Sequence, residues 1–457
     1  MRNQIALFAA CALLVLSSLV GCGDDDRAGP TDSGVGGDGS DVDSGGRRDG
    51  GGRDGGMIAD NNDSFDTAAT LTLGPDGVSG VINPIGDEDF YTFEATAGDW
   101  LLITTEANPD DDPTKVDTVV TLYDATMTQI AENDDSVPRI NTDSEIVIHV
   151  PATGTYYIKV QEFSTWMAGE TPEGGATFTY QLRAGVIDPA ADGVVVDPES
   201  GNDAASATAL ELPMNNGFIL GTLASATDID VYSFTIGGAE IGLANIAVMP
   251  AGPNGYGSTA SIGRAWVTDA TGATILARIE YSAARFNLEP SLPAGSYLLW
   301  VDHSGTAGSN DFYVAKVFLG MDNPLETQEA TNGAVATAEA LTVGAPAMGI
   351  RSGFILANIG TGDIDYFSFS VMAGEVVTIA CGAQFNGSGV TGLTVDLRGS
   401  DDSVVQSTME SLTEDLLLQN VAVPAPGTYA LRLTKTGQLA DVTGDWARCG
   451  VHMGPPP

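Results

Sequence analysis

The chain has very few basic residues for its size. Lysine and arginine together number 18 against 61 aspartates and glutamates, which leaves a formal net charge of −43 and a pI near 4.1. Such an acidic chain repels phosphates and anionic lipid surfaces at long range, so nucleic acid is excluded as a partner. Divalent cations are the natural counter-charge. Because 43% of the residues are apolar and only 17% charged, the chain can still fold around apolar cores.

Histidine is also scarce, and its scarcity bears on catalysis. The three histidines, His149, His303 and His452, belong to no His-Glu-x-x-His motif, and no serine lies in a Gly-x-Ser-x-Gly motif. Paired carboxylates for glycoside hydrolysis stay open, because a sequence does not show the separation of acidic side chains. We therefore expect that the protein is not an enzyme.

Only four cysteines are present, and two of them, Cys11 and Cys22, lie near the N-terminus. The remaining pair, Cys381 and Cys449, falls within one repeat of the chain. In an oxidising compartment such an isolated pair predicts a disulfide, with two buried free thiols as the alternative. Two cysteines alone do not form a zinc site.

The N-terminus carries a long apolar run, residues 5–20, which predicts a signal peptide over residues 1–21. The following Leu-Val-Gly-Cys tetrapeptide resembles a bacterial lipobox. The resemblance implies that Cys22 carries acyl chains such as palmitate and anchors a lipoprotein to the envelope membrane. Gly23 provides no inner-membrane retention signal, so we expect the outer membrane, on its periplasmic or its outer side. An ordinary cleaved signal peptide is the alternative.

Residues 22–57 are rich in glycine and aspartate and contain almost no apolar residues. Such a segment cannot form a core, so it predicts a disordered tether between the lipid and the folded part.

The rest of the chain repeats three times. An Asp-x-Asp phrase is followed each time by a Gly-Thr/Ser-Tyr phrase, at intervals of roughly 130 to 140 residues that match whole domains. The paired landmarks are Asp87 to Phe93 with Gly154 to Tyr156, Asp228 to Phe234 with Gly295 to Tyr297, and Asp363 to Phe369 with Gly427 to Tyr429.

Apolar residues alternate with polar ones after each Gly-Thr/Ser-Tyr phrase. Tyr156, Ile158 and Val160, for example, alternate with Tyr157 and Lys159. Short alternating runs between Gly, Asp, Asn and Pro turns predict antiparallel β-sandwiches. The linkers near residues 188–197 and 320–326 contain Pro, Asp and Gly, which predicts some flexibility between domains.

These repeats resemble the bacterial pre-peptidase C-terminal (PPC) domain over about residues 58–453. The resemblance is carried in the first repeat by Asn62-Asp63, Thr67-Ala68, Gly80-Val81-Ile82, Asp87 to Phe93, Ala97-Gly98-Asp99, Leu122-Tyr123-Asp124, Asn133-Asp134-Asp135 and Pro151 to Tyr157. It implies an all-β fold of three tandem jelly-roll-like antiparallel sandwich domains, at residues 58–187, 195–319 and 326–453.

The PPC resemblance also implies non-catalytic modules that accompany secreted peptidases, some of which bind calcium or polymers. Carried over by position, the implied calcium ligands are Asp60, Asn62, Asp63, Asp87, Asp89, Glu199, Asn202, Asp203, Asp228, Asp230, Asp363 and Asp365. Calcium takes six to eight oxygen ligands, which aspartate and asparagine supply. The alternative is that Asp-x-Asp ends a turn, where one carboxylate caps backbone amides and the other is solvated.

Two non-enzymatic functions compete. A binding or adhesion module would capture an extracellular polysaccharide or protein polymer through exposed aromatic residues, and a structural spacer would use calcium to stiffen its joints. An accessory subunit of a peptidase encoded elsewhere is a further alternative, and we expect a monomer. The candidate aromatics are Trp166, Tyr256, Trp266, Trp300 and Trp446.

Overall fold

The structure is a computed structural model, and it describes most of the chain after residue 60. The described residues are 61–108, 115–134, 143–213, 216–237, 243–249, 258, 260, 262–280, 287–305, 311–320, 325–346, 349–410 and 416–456. The predicted signal peptide, the tether with Cys22, Asp60 and Tyr256 lie outside them. Among the described residues, no helix is long and apolar enough to cross a membrane.

The described chain is built almost wholly of strands, which confirms the predicted all-β class. The first group of strands is β1 (Ala69–Thr70), β2 (Gly74–Val81), β3 (Glu88–Ala95), β4 (Trp100–Glu106), β5 (Thr118–Tyr123), β6 (Gln129–Asn133), β7 (Glu145–His149), β8 (Gly154–Glu162) and β9 (Thr179–Val186). The second group is β10 (Val194–Val196), β11 (Thr208–Ala209), β12 (Asn216–Thr222), β13 (Ile229–Ile236), β14 (Leu243–Met249), β15 (Ile262–Asp269), β16 (Ile275–Glu280), β17 (Asn287–Leu288), β18 (Gly295–His303) and β19 (Phe312–Gly320).

The third group completes the strands, and a few short helical turns connect them. Its strands are β20 (Glu339–Ala340), β21 (Arg351–Asn358), β22 (Asp365–Val371), β23 (Val376–Gly382), β24 (Val390–Thr391), β25 (Thr394–Gly399), β26 (Val404–Met409), β27 (Leu416–Ala422), β28 (Gly427–Thr434), β29 (Gly437–Gln438) and β30 (Trp446–Gly454). The helical turns are α1 (Phe163–Trp166), α2 (Pro189–Asp192) and two 3₁₀ turns, Phe65–Thr67 and Val335–Thr337.

Each group forms two main sheets, and we refer to the groups as units 1, 2 and 3. One sheet has the same order in every unit: β1-β3-β8-β5-β6, β11-β13-β18-β15-β16 and β20-β22-β28-β25-β26. The other sheets are β2-β9-β4-β7, β10-β12-β19-β14-β17 and β21-β30-β23-β27. The shared order lets equivalent positions be read from the strand pairing, without any alignment of the sequences.

The alternation in β8 shows why these segments form strands. Tyr156, Ile158 and Val160 are buried between the sheets, whereas Tyr157 and Lys159 are half-buried on the outer face. A strand places successive side chains on opposite faces, so this spacing buries one face only. Each unit has a core of its own made in this way.

Glycine opposite tyrosine is a close contact that units 1 and 2 share. Gly80 pairs with Tyr180, and Gly221 pairs with Tyr313. A Cβ at either glycine would lie 2.2 Å from the Cζ of the tyrosine ring, so only glycine leaves room for the ring to lie across the neighbouring strand. The buried tyrosine hydroxyls that this places inside the sandwich take part in the candidate sites below.

The joint between units 1 and 2 is a packed interface. Leu220, Phe312 and Val314 of unit 2 belong to the apolar cluster of unit 1, and Phe312 packs edge-to-face against Trp100 at 5.3 Å. The linker residue Val194 belongs to the same cluster. This joint is therefore more extensive than the composition of the linker predicts.

The joint between units 2 and 3 repeats this arrangement. Leu356 and Trp446 of unit 3 belong to the apolar cluster of unit 2. The guanidinium of Arg448 donates to Glu289 at 2.6 Å across the joint. Trp446 is only 5% exposed, so it is a joint residue and is not available as an aromatic binding residue.

Equivalent positions in unit 1 are polar. The Gly–Tyr pairs make Ser79 and Thr179 the counterparts of Leu220 and Phe312, and both side chains are exposed. Apolar residues therefore stand at these two positions only in the units that have a preceding unit to pack against.

The predicted disulfide is present in unit 3. Cys381 on β23 lies directly opposite Cys449 on β30, and the two residues are bonded across a sequence separation of 68. Both are buried in the core of the unit. The alternative of two free thiols is thus wrong.

Removing the disulfide is expected to destabilise unit 3 by about 2 to 4 kcal/mol, because the open chain regains loop entropy when unfolded. The change is Cys381→Ala together with Cys449→Ala, and urea unfolding measures it. The parent protein under reducing conditions should behave like the variant, and reductant should not affect the variant itself. Equal stability of oxidised parent and variant would contradict the prediction.

Candidate cation sites

Each unit buries one aspartate at the same point of its first sheet. Asp89 on β3, Asp230 on β13 and Asp365 on β22 are all 0% exposed, and we call them the inner aspartates. Burying an ionised carboxylate costs several kcal/mol unless a cation or hydrogen-bond donors compensate it. A solvated inner aspartate, as the turn alternative assumed, does not describe this arrangement.

The aspartate two residues earlier behaves differently, and we call Asp87, Asp228 and Asp363 the outer aspartates. Each accepts a hydrogen bond from a backbone N–H of the turn before its strand: Asn83 to Asp87 at 2.9 Å, Ala224 to Asp228 at 2.7 Å, and Gly360 to Asp363 at 3.3 Å. A carboxylate in this position caps the turn. The cap holds the start of the strand on which the inner aspartate lies.

The acids closest to the inner aspartates of units 2 and 3 come from the linkers. The N–H of Asp197 donates to the carbonyl of Leu220 at 2.9 Å, and the N–H of Glu326 donates to the carbonyl of Leu356 at 3.1 Å. Leu220 and Leu356 are equivalent, so the two linker acids enter their units at the same place. Asp197, Glu326 and Glu329 were not among the ligands predicted from the sequence.

The backbone hydrogen bonds correct the position that the sequence assigned to Asn202. The N–H of Phe90 donates to the carbonyl of Asn62, and the N–H of Val231 donates to the carbonyl of Gly201, both at 2.8 Å. Gly201, rather than Asn202, is therefore the counterpart of Asn62. An acid directly after an apolar linker segment is the signal that would have found Asp197 and Glu326.

Unit 3 has the most complete cluster of oxygen atoms. One carboxylate oxygen from each of Glu326, Glu329 and Asp365 lies within 4.8 Å of the others. Asn332, which is 0% exposed, donates through Nδ2 to Glu326, while its Oδ1 has no hydrogen-bond partner among the described residues. Neither oxygen of Asp365 has such a partner within that part of the chain. A buried carboxylate with unpartnered oxygens, beside two further carboxylates, provides the oxygen ligands that a hard cation needs.

The pKa values of Asp365 and Glu329 are shifted upwards. Burial, followed by the neighbouring carboxylates, raises the pKa of Asp365 to about 9, and burial with Asp363 and Glu326 nearby raises the pKa of Glu329 to about 8. In unit 2, burial and then Asp197 raise the pKa of Asp230 to about 9. Without a cation, the inner aspartates Asp230 and Asp365 therefore stay protonated at neutral pH.

Unit 2 has a related but smaller cluster. Tyr313 donates through its hydroxyl to Oδ2 of Asp230 at 2.8 Å, and the hydroxyls of Tyr232 and Tyr313 are also 2.8 Å apart. Oδ1 of Asp230 and Oδ2 of Asp197 have no hydrogen-bond partner among the described residues. Burial raises the pKa of Asp197 to about 6. Two buried carboxylates thus face each other with one open oxygen each.

The other ligands predicted for unit 2 have different contacts. Glu199 is exposed and accepts from the hydroxyl of Thr222. Asp203 is exposed and accepts from two backbone N–H groups of its own turn, at 2.9 and 2.8 Å. Asn202 is also exposed, and its Nδ2 donates to Asp228 at 3.3 Å. Asn202 therefore lies at the edge of the cluster, whereas Asp203 caps a turn.

Unit 1 shows the same framework with fewer described ligands. Asn62 is 4% exposed, and its Oδ1 has no hydrogen-bond partner within the described ranges. Asp89 accepts from the hydroxyl of Tyr180. Burial is the largest cause that raises the pKa of Asp87, and Asp63, which is exposed, adds to it.

Part of unit 1 is similar to a known protein family. Residues 87–162, in unit 1, match the family described as the bacterial pre-peptidase C-terminal domain. No curated protein matches the chain. The family match covers β3 to β8, including the inner and outer aspartates of this unit.

Several solved structures share a distant likeness. They are the CUB1-EGF-CUB2 domain of human MASP-1/3 (10% identity, TM-score 0.16, 54% of this chain and 97% of that one), a putative secreted protein from Eubacterium rectale (11%, 0.18, 56% and 79%), and the BSP domain of a biofilm associated protein (13%, 0.13, 84% and 69%). With TM-scores this low, the likenesses carry no argument about function.

Proposed function

We propose that the protein is a non-catalytic envelope lipoprotein whose three sandwich units are diverged PPC-like domains that bind calcium. The observation that carries the calcium assignment is the cluster of Glu326, Glu329 and Asp365, whose carboxylate oxygens lie within 4.8 Å of one another and in which the oxygens of the buried Asp365 have no hydrogen-bond partner among the described residues. The recurrence of an inner aspartate in every unit extends the proposal to three sites. The PPC match in unit 1 supports the same reading.

The donor set favours calcium over other metals. Every candidate ligand offers oxygen, from a carboxylate or an amide, and no histidine or cysteine of the described residues lies in the unit 3 cluster. Zinc and the softer metals take nitrogen and sulfur ligands, whereas calcium takes several oxygens in flexible geometry. Ions bound by extracellular modules have dissociation constants of about 10⁻⁴ to 10⁻³ M, and we expect values in this range.

The surroundings of the histidines support a non-catalytic role. His149 stacks on Trp100 at 4.7 Å, and Nδ1 of His303 accepts from the N–H of Gly305 at 2.9 Å. His452 lies 2.8 Å from the hydroxyl of Ser352 but is only 6% exposed, so a substrate has no access to its ring. Each histidine is thus engaged in packing or in a local hydrogen bond.

An envelope location is part of the proposal. A buried disulfide forms and persists in an oxidising compartment, which agrees with export of the folded part. Lipidation of Cys22 would then hold the chain at the membrane, most simply the outer membrane, through the tether of residues 22–57.

The joints favour a spacer as the second candidate function. Asp197 and Glu326 lie on the linkers that enter units 2 and 3, next to the apolar contacts of each joint. An ion bound by these acids would tie the linker to the unit and thereby stiffen the joint. A rigid array held away from the membrane suits either a spacer or the presentation of a binding face.

Calorimetric titration of the chelator-treated full-length chain with calcium tests the proposal. Asp365→Asn is expected to lose one site or weaken it at least about tenfold, because it removes a charge from the centre of the cluster. The matched control is Asp124→Asn, since Asp124 is a half-buried aspartate outside the cluster that caps its own turn, with Oδ1 accepting from the N–H of Thr126 at 2.8 Å. Heat that is absent in the parent, or unchanged in Asp365→Asn, would refute the calcium assignment.

A further inference from the structure

A pair of stacked tryptophans lies on the outer face of unit 2. Trp266 on β15 is directly opposite Trp300 on β18, and both side chains are half-buried. Their rings are nearly parallel, at 10°, with centroids 5.6 Å apart. This separation lies within the range of offset-stacked aromatic pairs.

Polar groups of both kinds flank the pair. The guanidinium carbon of Arg264 lies 5.0 Å from the centre of the Trp266 ring, and Nε of Arg264 donates to Asp302 at 2.8 Å. The Arg264 side chain is 43% exposed. Nε1 of Trp300 donates to the hydroxyl of Thr268 at 2.9 Å, which holds that ring in place. The face therefore combines fixed indoles with an exposed guanidinium, which the buried carboxylate of Asp302 holds in place.

The other two units show that the fold does not need these tryptophans. At the equivalent positions, unit 1 has Thr121 opposite Lys159, and unit 3 has Asp396 opposite Arg432. These pairs are polar, and Arg432 donates to Asp396 at 2.8 Å. The same sheet is thus stable with hydrophilic side chains at both positions, so packing alone does not account for two indoles in unit 2.

We propose that Trp266, Trp300 and Arg264 form a binding face for a neutral polysaccharide. The C–H groups of a sugar ring carry partial positive charge and pack against the negative face of an indole, while the hydroxyls at its rim accept hydrogen bonds from N–H donors such as a guanidinium. The net charge of −43 opposes a polyanion. The proposal deepens the binding role of the proposed function by naming its partner, and it does not depend on calcium.

The position of the face agrees with an extended ligand. Arg278 on β16 is the next residue in the same row, opposite Trp266, and it forms an ion pair with Asp441 of unit 3. The row of side chains therefore runs from the tryptophans to a contact with unit 3. A polymer has repeated sugar rings to occupy such a row, whereas a small sugar would meet only part of it.

Native gel electrophoresis in gels containing a polysaccharide tests the proposal on the full-length chain. The neutral polymers are hydroxyethylcellulose, arabinoxylan and glucomannan, and alginate and gelatin are the anionic and protein comparisons. At least one neutral polymer should retard the protein, alginate should not, and chelator should leave the retardation unchanged. Retardation by gelatin alone, or by no neutral polymer, would overturn the proposal.

The decisive variant carries Trp266→Thr and Trp300→Lys, the residues that unit 1 has at these positions. It is expected to lose affinity at least tenfold while it unfolds at a temperature close to that of the parent. Trp166→Ala, at a half-buried tryptophan of unit 1, is the matched control and should bind like the parent. If the double variant fails to fold, Trp300→Phe should weaken binding and retain the fold. Equal retardation of folded variants and parent would refute the assignment.

Discussion

Lys316→Ala is expected to destabilise the chain by about 3 to 5 kcal/mol, the cost of leaving one member of a buried ion pair alone. Nζ of Lys316, in unit 2, lies 2.7 Å from Oε1 of Glu145, in unit 1, and the two side chains are 8% and 6% exposed. Without the ammonium group, the carboxylate of Glu145 stays buried in the joint or draws water into it. The lost stability should be the part that the joint between units 1 and 2 contributes.

Differential scanning calorimetry measures this loss and shows whether the two units still unfold together. Lys159→Ala is the matched control, because Lys159 pairs with Glu88 at 3.1 Å in a more exposed setting, 15% and 38%, where an ion pair contributes about 1 kcal/mol or less. The double variant with Glu145→Leu and Lys316→Met should recover most of the loss, since apolar residues replace a buried pair well. A Lys316→Ala variant no less stable than Lys159→Ala would show that the pair does not hold the joint.

Calcium-free protein is expected to become less stable as the pH rises from about 5 to about 9. The pKa values of Asp230 and Asp365 are raised to about 9, and that of Glu329 to about 8, chiefly by burial. Between the pKa of the unfolded state and the raised pKa of the folded state, the unfolded carboxyls have lost their protons and must take them up again to fold. The stability is thus complete below the unfolded pKa, near 4, and is lost as the pH rises through the folded pKa.

Calcium should reverse this dependence, because the ion replaces the protons that the acids otherwise hold. Unfolding temperatures measured in chelator and in millimolar calcium, at mildly acidic and mildly alkaline pH, test the prediction. The stabilisation by calcium should be larger at the alkaline pH, and binding should release protons, which calorimetry in two buffers detects. Asp124→Asn should leave the whole pattern unchanged. A chelated protein that is more stable at the alkaline pH would contradict the prediction.

The prediction for Lys316→Ala and the predicted pH dependence of stability both rest on contacts that sequence periodicity does not reveal. The alternation of Tyr156, Ile158 and Val160 was enough to predict a strand with one buried face, because side-chain direction follows from local backbone geometry. Lys316 and Glu145, in contrast, are 171 positions apart. Their contact exists only because apolar residues such as Phe312 pack one unit against the other.

The candidate sites divide in the same way. The inner aspartates could be identified from the repeated Asp-x-Asp phrase, but their burial could not. A turn in which one of the two carboxylates is solvated would have the same sequence. Glu326 and Asp197 were not predicted as ligands because a linker has no periodic pattern. The pairing of the linker with a strand edge decides which of its acids enters the unit. Glu199, the acid that the sequence predicted in this segment, is exposed and accepts from the hydroxyl of Thr222.

The amino-acid sequence by itself determined the all-β class and the threefold recurrence of its paired phrases, and it predicted the disulfide between Cys381 and Cys449, because each depends on local alternation or on a very small number of candidates. The tertiary structure alone decided which carboxylates converge, that Trp446 lies in a joint, and that Trp266 and Trp300 stack on an outer face. The physical reason is that these outcomes depend on the register between strands distant in the chain. A shift of one residue in that register would move every side chain of a strand to the opposite face.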